Sequence, residues 1–109
     1  MAGVDAADSA VLVNAGTPTN ASVIATPGAG RAIVIHWVAI SNGAVAGEIS
    51  LLDGSGGTVL LDVFLAINSP LYVNCKRAPI VLTAATALCC TAVTSTTSRI
   101  NVGYSVERV

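Results

Sequence analysis

The sequence predicts an all-β fold, a single β-sandwich of about eight short antiparallel strands. Three observations carry that expectation. Val, Ile and Thr suit a pleated, half-buried surface and make up 33 of the 109 residues, while Glu, Lys, Gln and Met are almost absent. Several segments alternate apolar and polar residues with a period of two. Turn signals built on Gly, Pro, Asn and Asp separate these segments at the spacing of a sandwich. No segment of ordinary helix length shows a helical period.

The first 30 residues differ in kind from the rest. They are small, polar or Ala-rich, and Asp5 and Asp8 are their only charges. Residues 1–20 are expected to form an extended N-terminal arm, and residues 21–109 the sandwich domain. Val11 to Asn14 and Ala21 to Thr26 are strand candidates, separated by AGTPTN and followed by PGAG, both turn material. GRAIVIHWVAIS, residues 30–41, is the longest strand. Ile33, Ile35, Trp37 and Ala39 would share one face, and Val34, His36, Val38 and Ile40 the other. With both faces apolar the strand reads as central, with Trp37 in the core stripe and His36 opposite, under a partner or a crossing segment.

Residues 47–65 read as a hairpin, GEISLLD and TVLLDVFL flanking Gly54-Ser55-Gly56-Gly57, with Asp53-Gly54 as the turn signal. Val59, Leu61, Val63 and Leu65 would share one face of its second arm, and Thr58, Leu60, Asp62 and Phe64 the other. Pro70 and Pro79 fit strand starts, where a missing amide hydrogen costs least, ahead of strands at Leu71 to Asn74 and Pro79 to Thr83. Ala87 to Ser95 is a further strand. RINVGYSVE, residues 99–107, gives the clearest alternation: Ile100, Val102, Tyr104 and Val106 face one way, and Arg99, Asn101, Gly103, Ser105 and Glu107 the other.

Only 10% of residues are charged, the formal net charge is −1, and 53% are hydrophobic. An average soluble domain carries roughly 25% charged residues. A small domain has a large surface, so so few charges imply that other chains cover part of it. A membrane-spanning helix is excluded, because the apolar runs around residues 32–40 and 59–67 are short and broken by His36 and Asp62. The first positive charge is Arg31, so no secretion signal is expected, and Asn20-Ala21-Ser22 reads as a chance sequon match. Cys75, Cys89 and Cys90 are odd in number and lack Cys-x-x-Cys spacing, so reduced thiols are expected, with neither a disulfide framework nor a zinc site.

The single histidine raises the question of catalysis. A catalytic His needs a nucleophile or an orienting carboxylate, and no GxSxG, HExxH, P-loop or GxGxxG pattern stands around it. His36 is therefore expected in a wall or an interface, with no enzyme, cofactor or metal. Lys76-Arg77 is the only adjacent basic pair, aromatics are 4% of the chain and its pI is about 5.5, so nucleic-acid binding is not expected either.

The order of several features resembles a family of small jelly-roll proteins of tailed bacteriophages, the head decoration or cement proteins. The resemblance rests on Gly30-Arg31-Ala32-Ile33-Val34-Ile35 opening a long strand, the Leu51-Leu52-Asp53-Gly54 hairpin and the Pro79-Ile80 strand entry. It continues with Ala87-Leu88 before a Thr/Ser-rich strand and the closing Ile100-Asn101-Val102-Gly103-Tyr104-Ser105-Val106. It spans roughly residues 21–109. The sequence departs from the family at Thr83-Ala84-Ala85-Thr86, where a glycine turn is common, and at Cys89-Cys90.

The resemblance implies a jelly-roll sandwich on the outer capsid surface of a virion, made in the host cytoplasm, forming homotrimers over junctions of the major capsid protein. Its interface residues would be Val11, Leu12, Val13, Val23, Ile24, Arg31, His36, Lys76 and Arg77. A second reading is a carbohydrate-binding or tail-fibre module, with Tyr72 and Asn74, or Asp53 at the hairpin, as the sugar contacts.

Overall fold

The computed structural model describes residues 8–16, 19–92 and 96–108. Their regular structure is entirely β: nine strands in two antiparallel sheets. In chain order these are β1 (Asp8–Gly16), β2 (Ala21–Ile24), β3 (Arg31–Ser41), β4 (Gly47–Asp53), β5 (Thr58–Leu65), β6 (Pro70–Asn74), β7 (Ile80–Val81), β8 (Leu88–Ala92) and β9 (Thr96–Arg108). The first sheet runs β1-β9-β3-β6, with β7 also on β3, and the second runs β2-β8-β4-β5. Apart from the β4-β5 hairpin and the β6-β7 link, every connection crosses from one sheet to the other.

The core lies between the sheets. Ile33, Ile35, Val38, Ile40, Ile100 and Val102 of the first sheet meet Ile49, Leu51, Leu65, Leu88, Cys90 and Ala92 of the second. Strand β9 keeps the alternation expected of it, with Ile100, Val102 and Tyr104 packed inward and Arg99 exposed on the other side. The hairpin has the expected bounds, and Gly54 takes the positive φ, 89°, that its turn requires.

Three features differ from the sequence expectation. Residues 8–16, part of the expected extended arm and containing the strand candidate Val11 to Asn14, form the longer strand β1, which pairs with β9 from Asp8↔Tyr104 to Gly16↔Thr96. Ala10 and Leu12 pack against the core and Val11 faces out, the alternation of a sheet-edge strand. Asn20, also in the expected arm, donates its N–H to Thr91 Oγ1 at 3.0 Å and accepts from Gly56 N–H at 2.9 Å, while residues 1–7 and 17–18 lie outside the described segments.

Two β-bulges account for the other differences. In β3 the register with β9 shifts between Ile35 and Trp37, so His36 is an extra residue. An inserted residue exchanges the faces beyond it. Ile33 and Ile35 point into the core before the bulge, and Val38 and Ile40 after it. Trp37 therefore leaves the core stripe expected for it and joins the outer face. In β5 the register with β4 shifts at Leu60, which packs against the core while Val59 turns out to 53% exposure.

One end of the sandwich is tied by a buried side chain. The Asn42 amide donates to the carbonyls of Val45, Leu65 and Ala66 at 2.8, 3.2 and 3.1 Å, and its oxygen accepts from the buried Ser98 hydroxyl at 3.3 Å. The β3-β4 and β5-β6 loops are thus held to one another and to β9. At the other end Asp53 accepts from the Thr83 hydroxyl at 2.7 Å and from its backbone N–H at 3.2 Å, fastening the β7-β8 loop to the hairpin. Asp53, a candidate sugar contact, has this structural task.

Candidate functional site

The bulge decides what the outer face of the first sheet carries. Strand β9 sends Asn101, Gly103, Ser105 and Glu107 to that face, since their neighbours Ile100, Val102 and Tyr104 face the core. His36 reaches the same side, its Nε2 lying 2.8 Å from Ser105 Oγ. The Ser105 hydroxyl donates to Glu107 Oε2 at 3.2 Å, so its lone pair faces the histidine and the imidazole supplies an Nε2–H. This chain of bonds runs in the wrong order for nucleophilic catalysis. A serine nucleophile gives its proton to a histidine that a carboxylate orients from the far side. Here the carboxylate takes the serine proton, and Ser105 is 3% exposed. The group clamps the bulge, and the backbone adds to it: the His36 carbonyl accepts from Cys75 N–H at 2.8 Å, at the break between β6 and β7.

Trp37 lies over Gly103. A Cβ built at 103 would run into Nε1, Cε2 and Cδ1 of the indole together, which places the five-membered ring face-on above the backbone. Only glycine leaves room for that approach. On β6, Tyr72 pairs with Ala39 and is 60% exposed; its ring centroid lies 6.2 Å from that of Trp37, with 31° between the planes. Beside the two rings runs a shallow trough of about 270 Å³, lined by Ala39, Ser41, Pro70, Tyr72 and Asn101 among others. The row Val11, Asn101, Ala39, Tyr72 crosses all four strands in register, and the small Ala39 leaves the depression.

The residues expected at an interface fall into three groups. Val11, Arg31, Lys76 and Arg77 are exposed, and His36 is half-buried in its hydrogen-bonded clamp. Leu12 and Val23 pack against the core, and Ile24 belongs to it at 7% exposure, because β2 turns its apolar side chains inward over β8. These three offer a partner little surface. The side chain of Val13 lies outside the described ones. Lys76 and Arg77 sit in the turn between β6 and β7, far along β3 from the trough, and the structure does not gather the nine residues into one patch.

The second sheet shows a different surface. Strands β2 and β5 are its edges among the described residues, and β5 carries Phe64 at 72% and Val59 at 53% exposure. Val45 and Ile67, 43% and 56% exposed, lie in the two loops that Asn42 joins at the Phe64 end. The hydrogen bond to Asp62, and then its negative charge, raise the Glu48 pKa above its ordinary value. The three thiols are buried and none is in a disulfide, and burial pushes Cys75 and Cys89 upward, away from the reactive thiolate. Among the described residues no three His, Cys, Asp or Glu side chains come together to hold a metal.

Sequence reasoning missed Gly103, Ser105, Asn42 and Phe64. Gly103 carried a usable signal, since a glycine inside an alternating strand marks the close approach of another group. No family of known proteins, no curated protein and no solved structure matches this chain.

Proposed function

We propose that this protein is a structural subunit of a virion, a capsid decoration protein that forms homotrimers and stabilises the lattice of the major capsid protein. The observation that carries the proposal is the β5 edge. An isolated monomer blunts its sheet edges with charge, proline or a covering loop. Strand β5 is eight residues long, has Asp62 as its only charge, and exposes Val59 and Phe64 beside a backbone edge that pairs with no other described strand. With Val45 and Ile67 at its end, this edge is suited to burial against another subunit.

The strand order supports the jelly-roll part of the proposal. In a jelly roll of eight strands, one sheet has the order first-eighth-third-sixth and the other second-seventh-fourth-fifth. Setting aside the two-residue β7, the orders β1-β9-β3-β6 and β2-β8-β4-β5 follow that scheme strand for strand. Capsid proteins and lectins are among the users of this architecture. A clamp that touches several lattice subunits at once stabilises the closed shell through multivalency, each further contact forming at high effective concentration.

The test is oligomeric state combined with location. Light scattering after size-exclusion chromatography is expected to give a trimer, and Phe64→Lys is expected to move it toward monomer with its β-type circular dichroism unchanged. Antibody labelling of virions in the electron microscope is expected on the head. A wild-type monomer at high concentration, with no label on particles, overturns the proposal.

A further inference from the structure

We infer that the trough beside Tyr72 and Trp37 is a saccharide site, one that takes an uncharged pyranose ring of an oligosaccharide. It is independent of the lattice role, which uses the β5 edge of the opposite sheet.

A pyranose presents two chemically different surfaces. Its C–H groups form an apolar face with partial positive charge on hydrogen, and its hydroxyls form a polar rim. The C–H face is attracted to the negative face of an aromatic ring, and the rim needs amide and hydroxyl partners at the edges of that ring. The outer face of the first sheet offers both. Gly103 lets the indole of Trp37 lie face-on over the backbone, so the opposite face of the ring points away from the sheet. Tyr72 is 60% exposed and lines the trough, and the indole stands beside it, ring centroids 6.2 Å apart and planes 31° apart.

Polar partners stand at the borders of this surface. Asn101 and Ser41 line the trough opposite Tyr72, and Asn74 is the register partner of Trp37 on β6. Asn101 carries an amide, which both donates and accepts and so matches a hydroxyl that does the same, while Asn74 accepts the Lys76 N–H at 2.9 Å through its Oδ1 and presents its amide N–H groups. The trough is lined by Ala39, Ile40, Ser41, Pro70, Leu71, Tyr72 and Asn101, none of them charged at neutral pH. That lining favours an uncharged ring within the trough, and exposed Arg99, the register partner of Ser41, stands beside it as the neighbouring charge. About 270 Å³ of space in a largely apolar depression with a few polar groups fits a small ligand site.

Trp37 is the only tryptophan in the chain and its ring stands 6.2 Å from that of Tyr72, which lines the trough, so it serves as a nearby reporter. The experiment is a glycan array followed by titration of Trp37 fluorescence in the full-length protein with the glycan that binds, and with chitotriose, cellotriose, maltotriose and lactose. Saturable binding with a shift in Trp37 emission is expected. Tyr72→Ala and Asn101→Ala are each expected to weaken it about tenfold or more, a change of about 1.4 kcal/mol, with the melting temperature of Tyr72→Ala unchanged because that ring is exposed. Phe64→Lys is expected to leave the titration as it is, which separates this site from the assembly edge. Three results overturn the inference: no array signal together with no emission shift, binding that survives Tyr72→Ala, or Trp37 emission that changes with protein concentration in place of sugar. The last would make this face a contact between copies.

Discussion

Gly103→Ala puts the smallest possible side chain beneath Trp37. Its Cβ would lie 2.5 Å from Cδ1 of the indole and closer still to Nε1 and Cε2. Carbon atoms in contact prefer about 3.5–4.0 Å, so the ring must rise by at least about 1 Å or swing away. A gap of that size forfeits much of the contact beneath the ring. If the ring leaves the sheet, roughly 100 Å² of apolar area returns to water, worth about 2.5 kcal/mol at about 25 cal/mol per Å². Replacing glycine by alanine in a strand offsets about 0.4–1 kcal/mol by narrowing the unfolded ensemble. The net expected loss is about 1.5–2 kcal/mol, or roughly 6–16 °C in melting temperature for a domain near 100 residues. The assay is thermal unfolding combined with the Trp37 emission maximum, which is expected to shift to the red. Repeating Gly103→Ala in a Trp37→Ala background isolates the contact, since the loss should vanish or become a small gain there. An equal loss in both backgrounds, or an unchanged emission maximum, would refute the placement of the indole over Gly103.

Three further outcomes follow from the geometry. Asn42→Ala removes three donated hydrogen bonds and the acceptor for Ser98, and is expected to cost about 2–4 kcal/mol in denaturant unfolding. Ala85 holds a φ of 55°, in the left-handed region, so Ala85→Gly is expected to raise stability by about 0.5–1 kcal/mol, the relief of strain outweighing the added freedom of the unfolded chain. Glu48 has its folded-state pKa raised by the Asp62 hydrogen bond and charge, so the native protein binds that proton more tightly than the unfolded chain does. That contribution is present below the ordinary value of 4.5 and is lost as pH rises through the folded pKa. Glu48→Gln is therefore expected to be more stable than the wild type near pH 7 and to show no such advantage below about pH 4, as read by melting temperature across pH.

How much was legible can be judged residue by residue. The hairpin strands came out at their bounds because Asp53-Gly54 and the flanking apolar runs are local signals, decided by residues adjacent in the chain. The faces of β9 came out for the same reason, with Ile100, Val102 and Tyr104 inward. Within β3 the alternation held up to Ile35 and failed at Trp37. In β5 it held from Leu61 to Leu65 and failed at Val59. Both failures are bulges, each visible only in the register of one strand against another. At the candidate site Tyr72 and Asn74 are legible as candidate sugar contacts and Gly103 as an outward position of β9, but the alternation puts Trp37 in the core and gives no sign that it lies over Gly103.

Composition and period by themselves determined that this chain is all β, where most strands run, and which residues within a strand share a side. They did so because propensity and alternation depend on neighbours a few residues apart. Tertiary structure alone decided which side faces the other sheet, and that residues 8–16 close the edge of β9. It also decided that one inserted residue at His36 carries the indole out of the core to lie on Gly103. An extra residue in a strand has no signature in its own segment; it exists only against a partner strand some 70 residues away, whose Ser105 holds it in place.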